Sequence, residues 1–239
     1  MKFCDLTFPT PAENLACDEA LLDWCEEGRA EEVLRVWEPT RYFVVVGYGN
    51  KVATEVIVPF CQRNEIPVLR RCTGGGTVLQ GPGCLNYSLI LRADGSGPLQ
   101  SIGGTNDFIL KRHQSVLAEL LHAPVERQGQ TDLAIGGLKF CGNAQRRRKH
   151  FLLFHGSFLL RLDIAQVEKT LRLPSRQPEY RRNRSHGDFL MNLPVPGATV
   201  KEALVKTWQA NESVGEEPSE QIAVLIREKY GSDEWNLKF

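Results

Sequence analysis

Two stretches of this chain hold residue types at spacings suited to chemistry on an anionic or acyl ligand. The first is Arg70-Arg71-Cys72-Thr73-Gly74-Gly75-Gly76-Thr77-Val78. Three consecutive glycines open backbone conformations closed to other residues and let a ligand approach the main chain. Exposed N–H groups there cradle a phosphate or carboxylate, and two arginines offer cationic forks for the same anion. The second is Thr131-Asp132-Leu133 through Lys139-Phe140-Cys141-Gly142-Asn143-Ala144-Gln145. Strict strand alternation would place Lys139, Cys141 and Asn143 on one face, aiming a cation at developing negative charge. His155 follows in His155-Gly156-Ser157, with no triad spacing to its neighbours.

These residues need elements to hold them. Thr10-Pro11-Ala12-Glu13 reads as a capping box with proline at the first helical position, and the helix runs to about Gly28. Strand-like runs follow at Val33 to Trp37 and Tyr42 to Gly47, then a short helix within Val56 to Arg63 and strands at Val68 to Arg71 and Asn86 to Arg92. Thr105 is expected to cap a helix burying Ile109, Val116, Leu117 and Leu120. Gly136-Gly137 supplies the positive φ angles of a tight hairpin between Leu133 and Phe140. Phe151 to Leu160 is a further strand. Helices are expected around Ile164 to Leu171, Val200 to Gln209 and Ser219 to Tyr230, with a loop over Leu173 to Pro196 holding one short strand near Phe189. Strands and helices mix without β-α alternation, which predicts an α+β fold with a mixed, largely antiparallel sheet flanked by helices.

With 239 residues, a single domain over 1–239 is expected. The 29 basic and 29 acidic residues cancel, which argues against a nucleic-acid surface. Local basic runs at Arg146-Arg147-Arg148-Lys149 and around Arg176, Arg181, Arg182 and Arg184 read as solvated turns or as attraction for an acidic partner. No membrane span or signal peptide is visible. Seven irregularly spaced cysteines without a CxxC pair point to reduced thiols, no zinc site and a cytoplasmic protein.

The ordered set of motifs resembles the lipoate-protein ligase family, within the biotin/lipoate ligase superfamily. It runs from Glu13-Asn14-Leu15-Ala16-Cys17-Asp18-Glu19-Ala20 through Leu34-Arg35-Val36-Trp37, Val46-Gly47-Tyr48-Gly49-Asn50, the triple-glycine stretch and Asn86-Tyr87-Ser88 to Gly137-Leu138-Lys139 and His155-Gly156, over roughly residues 10 to 195. The resemblance implies the family's catalytic domain, with C-terminal helices from about residue 198 and no full accessory domain. It implies that Lys139 contacts the acyl carbonyl and phosphate, and that Asp132 lies in the adenylate region. Arg70, Arg71, Gly74, Gly75, Gly76, Thr77, Asn86, Gly142, Ala144 and His155 would bind acyl chain or adenylate.

The activity implied is lipoate-protein ligation. Lipoate and ATP, with Mg²⁺ neutralising the triphosphate, give lipoyl-adenylate. The lipoyl group then passes to a lysine of a lipoyl domain, in a 2-oxoacid dehydrogenase or the glycine cleavage H protein. Leu79-Gln80-Gly81-Pro82 stands where many ligases carry a histidine, and the shorter build resembles the family's octanoyltransferases. These move octanoate from acyl carrier protein without ATP through a cysteine thioester. Cys141, beside Lys139, is then the candidate nucleophile. A third expectation is the catalytic half of a ligase whose accessory chain is separate.

Overall fold

The computed structural model describes residues 1–239. Thr10 caps the first helix as the sequence predicts: its hydroxyl accepts from Glu13 N, and the Glu13 carboxylate accepts from Thr10 N at 2.8 Å. A cap of this kind stabilises a helix by about 1 kcal/mol. In chain order the elements are β1 (Lys2–Asp5), α1 (Pro11–Glu26), β2 (Val33–Trp37), β3 (Phe43–Val46), α2 (Val52–Glu55), α3 (Val58–Arg63), β4 (Val68–Arg70), β5 (Val78–Gln80), β6 (Cys84–Arg92), α4 (Ile102–Leu121), β7 (Glu126–Gln128), β8 (Asp132–Ile135), β9 (Leu138–Arg147), β10 (Phe151–Leu159), α5 (Ile164–Thr170), α6 (His186–Phe189), α7 (Gly197–Trp208), β11 (Glu212–Ser213), α8 (Ser219–Leu225) and α9 (Asp233–Asn236).

Eight strands form one sheet in the order β11-β1-β2-β6-β10-β9-β8-β7, parallel across β11-β1-β2 and antiparallel beyond. β4-β3-β5 form a second, smaller sheet. One face of the large sheet buries Leu34, Tyr87, Phe154 and Phe158 with Ile109, Leu117, Leu204 and Trp208 of α4 and α7. The other face buries Trp37, Ile90 and Leu153 with α1 and with Phe43 and Val45 of the small sheet. The cleft between the two sheets positions the site. The α+β architecture expected from the sequence is the one observed.

Three expectations are corrected. Helix α4 is capped four residues before Thr105, by Ser101, whose hydroxyl accepts from Gly104 N at 3.0 Å; Thr105 is buried inside it and accepts from Arg147. The segment before Phe189 is a short helix capped by Ser185, and the extended pairing falls one residue later, between Lys139 and Leu190. The last long helix passes into a π-turn at Ile226–Tyr230.

The most consequential correction is a β-bulge. Leu133 pairs with Cys141 but Ala134 pairs with Lys139, so β9 carries one extra residue. Phe140 and Cys141 both turn to the core against α4 and α7, as the two residues of a bulge do. Lys139 is thereby moved to the opposite face from Cys141 and Asn143.

Candidate active site

A cavity of about 680 Å³ lies between the sheets. Its lining includes the apolar Leu15, Trp37, Val45 and Val78, and also Glu55, Arg172, Ser175 and Arg176, which lie among Leu162, Val167 and Leu171. Lys139 lines it as well. A Cβ placed on Gly142 would sit 2.7 Å from Lys139 Nζ, so the glycine leaves room for the lysine to lie across its own strand. The amine is 2.7 Å from Asp132 Oδ1, and Tyr180 donates to Asp132 Oδ2 at 2.8 Å. Tyr180 comes from the segment after α5 and packs on Phe189, so it closes that segment over the lysine. No local spacing in the sequence marks Tyr180 for this role.

The glycine loop approaches from the small sheet. Gly75, Gly76, Thr77 and Arg71 line the cavity; Gly74 is exposed outside it. Gly75 has φ +85°, the left-handed region where glycine is favoured, and lies against Ala144. Arg71 donates to Gly74 O and Gly76 O and so shapes the loop it belongs to. Burial lowers its pKa to about 10, and it keeps its charge at neutral pH.

Arg70 is different. It does not line the cavity and is fully buried. Its guanidinium donates to the carbonyls of Gly47, Tyr48 and Asn50 on one side and of Trp235 and Asn236 on the other. Its backbone N donates to Asn236 Oδ1, and Trp235 Nε1 donates to Arg70 O. Asn50 then donates to Gly75 O. The C-terminal segment is thus wired to the glycine loop through Arg70, where the sequence predicted a ligand contact.

His155 and Asp18 line the cavity; His155 Nε2 is 2.7 Å from Thr73 Oγ1 behind it, and His155 Nδ1 is 3.6 Å from Asp18 Oδ2. Asp18 is paired with Arg35 at 2.6 Å. Burial pushes Asp18 up, but Arg35 and His155 outweigh it and hold the carboxylate below its usual range. Burial depresses His155 despite Asp18 beside it, so the imidazole is neutral at pH 7. This hydroxyl–imidazole–carboxylate line joins residues far apart in sequence, which no local spacing could reveal. Asn86 also lines the cavity, bonded to Ser157.

Cys141 is 1% exposed, and burial raises its thiol far above the usual range against the opposing pull of Lys139. Cys72 and Cys84 are pushed to about 12 by burial. None of the three is a thiolate at neutral pH. The basic run is also tied down: Arg146 donates to Cys72 O, Arg147 to Leu99 O and Thr105, and Arg148 to Asp23. Arg181 is buried and lines the cavity together with Arg176, Arg184 donates to Gly137 O and Tyr180 O, and Arg182 is exposed. No helix is long and apolar enough to cross a membrane.

Against this geometry, the likeness to known proteins is consistent. An octanoyltransferase LipM from Geobacillus kaustophilus is 30% identical, covering 99% of this chain and 98% of that protein. A crystal structure of lipoate-protein ligase A bound with ATP superposes with a TM-score of 0.82 at 25% identity, covering 99% of this chain and 98% of the other. The bipartite lipoate protein ligase of Thermoplasma acidophilum, described with its E2 lipoyl domain, has the same fold, with a TM-score of 0.83 at 23% identity over 99% and 95% of the two chains. The model of the lipoyl protein ligase A/B catalytic domain matches residues 10–207, and the chain belongs to that family.

Proposed function

We propose that this protein transfers an octanoyl-type acyl group from a thioester donor to a lysine of a lipoyl domain. The observation that carries acyl transfer is the Lys139 ammonium lying across Gly142 in a cavity that Leu15, Trp37, Val45 and Val78 also line. The acyl chain lies among Leu15, Trp37, Val45 and Val78, and its carbonyl oxygen faces Lys139. The neutral amine of the acceptor lysine attacks the carbonyl carbon. Charge that develops on oxygen is stabilised by the ammonium, a contribution of about 10²–10³ in rate for a well-placed donor. The C–S bond then breaks, the amine loses its proton and the donor leaves as a thiol. The end-to-end likeness to an octanoyltransferase supports a thioester donor. The buried thiols favour direct transfer without an acyl-cysteine.

The second reading is ATP-dependent lipoate ligation. It is supported by Arg172 and Arg176, which line the same cavity as Lys139, and by the likeness to an ATP-bound ligase. Arg71 and Lys139 fit a phosphate there. No group of three or more His, Cys, Asp or Glu is placed to hold Mg²⁺, so in this reading the ion rides on the triphosphate, whose charge it neutralises.

Intact mass of an apo lipoyl domain or glycine cleavage H protein separates the readings. One reaction holds octanoyl-acyl carrier protein without ATP; the other holds lipoate, ATP and Mg²⁺. An octanoyl gain in the first alone supports the transferase. A lipoyl gain in the second alone overturns it in favour of the ligase. Silence in both, relieved by a second chain, supports a two-protein ligase.

A further inference from the structure

Asn143, in Gly142-Asn143-Ala144 of β9, has no part in the reaction above. Its carboxamide crosses the neighbouring strand: a Cβ on Gly156 would sit 1.8 Å from Asn143 Oδ1. Gly156 is paired with Asn143 on one side and with Tyr87 on the other. The glycine of His155-Gly156 therefore opens the path by which the Tyr87 hydroxyl donates to Asn143 Oδ1 at 2.5 Å. Tyr87 is itself fixed: it is fully buried, stacked on Phe158 and edge-on to His113 of α4.

The other end of the carboxamide holds one residue. Asn143 Nδ2 donates to Thr131 O at 2.6 Å, and the Thr131 hydroxyl donates to Asn143 O at 2.7 Å. A backbone carbonyl only accepts, so the amide nitrogen faces Thr131 and Oδ1 faces the tyrosine; the orientation follows from the partners. Leu133 pairs with Cys141, so Thr131 opposite Asn143 is where the next rung between β8 and β9 falls. Two side chains make that rung, and it fastens the residue directly before Asp132.

Asp132 carries the effect to the reacting centre. Its Oδ1 is 2.7 Å from Lys139 Nζ and its Oδ2 accepts from Tyr180 at 2.8 Å. Carboxylate and amine lie together over Gly142, where a Cβ would be 3.6 Å from Asp132 Oδ1 and 2.7 Å from Lys139 Nζ. Asn143 sits on the opposite face, with Tyr87, and reaches the amine through Thr131 and Asp132. A reacting group displaced by about 1 Å loses about a hundredfold in rate, so a fastening this close to Asp132 bears on kcat.

We propose that Asn143 is a positioning residue: held by Tyr87 across Gly156, it fixes Thr131 and so sets the Asp132 carboxylate that orients the Lys139 ammonium. This rests on the role given to Lys139 above and holds for either acyl donor. The test is a double-substitution cycle in kcat, by initial-rate acyl transfer to an apo lipoyl domain. The donor is octanoyl-acyl carrier protein, or lipoate with ATP and Mg²⁺ where that is the productive one. Asn143→Ala lowers kcat about ten- to a hundredfold, with KM for both substrates within threefold. Asp132→Ala lowers kcat about as much. The double variant stays within about threefold of Asp132→Ala alone, because substitutions that act through one group do not multiply. Tyr87→Phe removes one hydrogen bond, lowers kcat about three- to tenfold and shows the same dependence on Asp132; it decides the matter where Asn143→Ala does not fold. Losses that multiply, a loss that falls on KM, or full kcat in Asp132→Ala overturns the positioning role and leaves the role of Lys139 standing. Full kcat in Lys139→Met overturns the role of Lys139, and the positioning role with it.

Discussion

Replacing Lys139 with methionine tests the centre of the mechanism, because the structure separates its catalytic and structural effects. The side chain is 23% exposed, and its partner Asp132 keeps the Tyr180 hydrogen bond when the amine is removed. A partly solvated ion pair contributes at most about 1 kcal/mol, which in a chain of this length shifts the melting temperature by about 2–4 °C. Removing the cation opposite a developing oxyanion costs about 3–4 kcal/mol in the transition state, or 10²–10³ in kcat. The expected outcome of Lys139→Met is a fall in kcat of that size with a melting temperature almost unmoved. The assay is initial-rate acyl transfer to an apo lipoyl domain, paired with a thermal melt. A kcat within threefold of the parent would refute the assignment. A melting temperature lowered by more than about 10 °C would show that the lysine holds the fold instead.

Cys141→Ser should retain activity within threefold, and intact mass should detect no acyl adduct on the parent protein; a hundredfold loss, or a trapped acyl-cysteine, would restore the thiol as nucleophile. Arg70→Ala strips a buried cation from five backbone carbonyls and should cost about 3–5 kcal/mol of stability, read by urea denaturation. Arg71→Ala should instead act mainly on KM for the acyl donor, and equal stability losses for the two would contradict the separate roles. His113 is fully buried, accepts from Trp208 Nε1 and has its pKa lowered to about 3 by burial. The unfolded chain takes up that proton near pH 6.5 and the folded chain does not, so stability is fully present above pH 6.5 and falls as pH drops towards 3. The loss is about 1.4 kcal/mol per pH unit, or about 2 kcal/mol at pH 5; urea midpoints that do not separate between His113→Phe and the parent as pH falls from 7 to 5 would contradict this.

Much of the frame was legible because local chemistry specifies it. The Thr10 capping box, the Gly136-Gly137 hairpin and the β-branched run of β3 each follow from side chains within a few residues. Lys139, Asp132, Gly75 and His155 were found through family motifs, and the fold brings them to one cavity. What escaped depended on pairing between distant segments. The bulge at Phe140 is a register mismatch between β8 and β9, invisible in β9 alone, and it turned the expected Lys139–Cys141 face inside out. Gln80, Ser157 and Tyr180 have ordinary surface chemistry, and only tertiary packing buries or aims them. Arg70 reads the same as Arg71 in sequence; alternation along β4 sends it away from the cavity and towards a segment over 160 residues downstream.

That wiring bears on the order in which the site matures during synthesis. Residues 47–76, which contain the loop carrying Gly75, emerge from the ribosome early, yet the carbonyls of Trp235 and Asn236 and the Val52 N–H bond to Phe239 O complete their anchorage. A nascent chain lacking those last residues holds Lys139, Asp132 and His155 but leaves the Arg70 guanidinium with three of its five carbonyl partners. Fastening of the glycine loop is therefore a late event on the translation timetable, and a prematurely terminated product carries Lys139 opposite a loop without its C-terminal anchor.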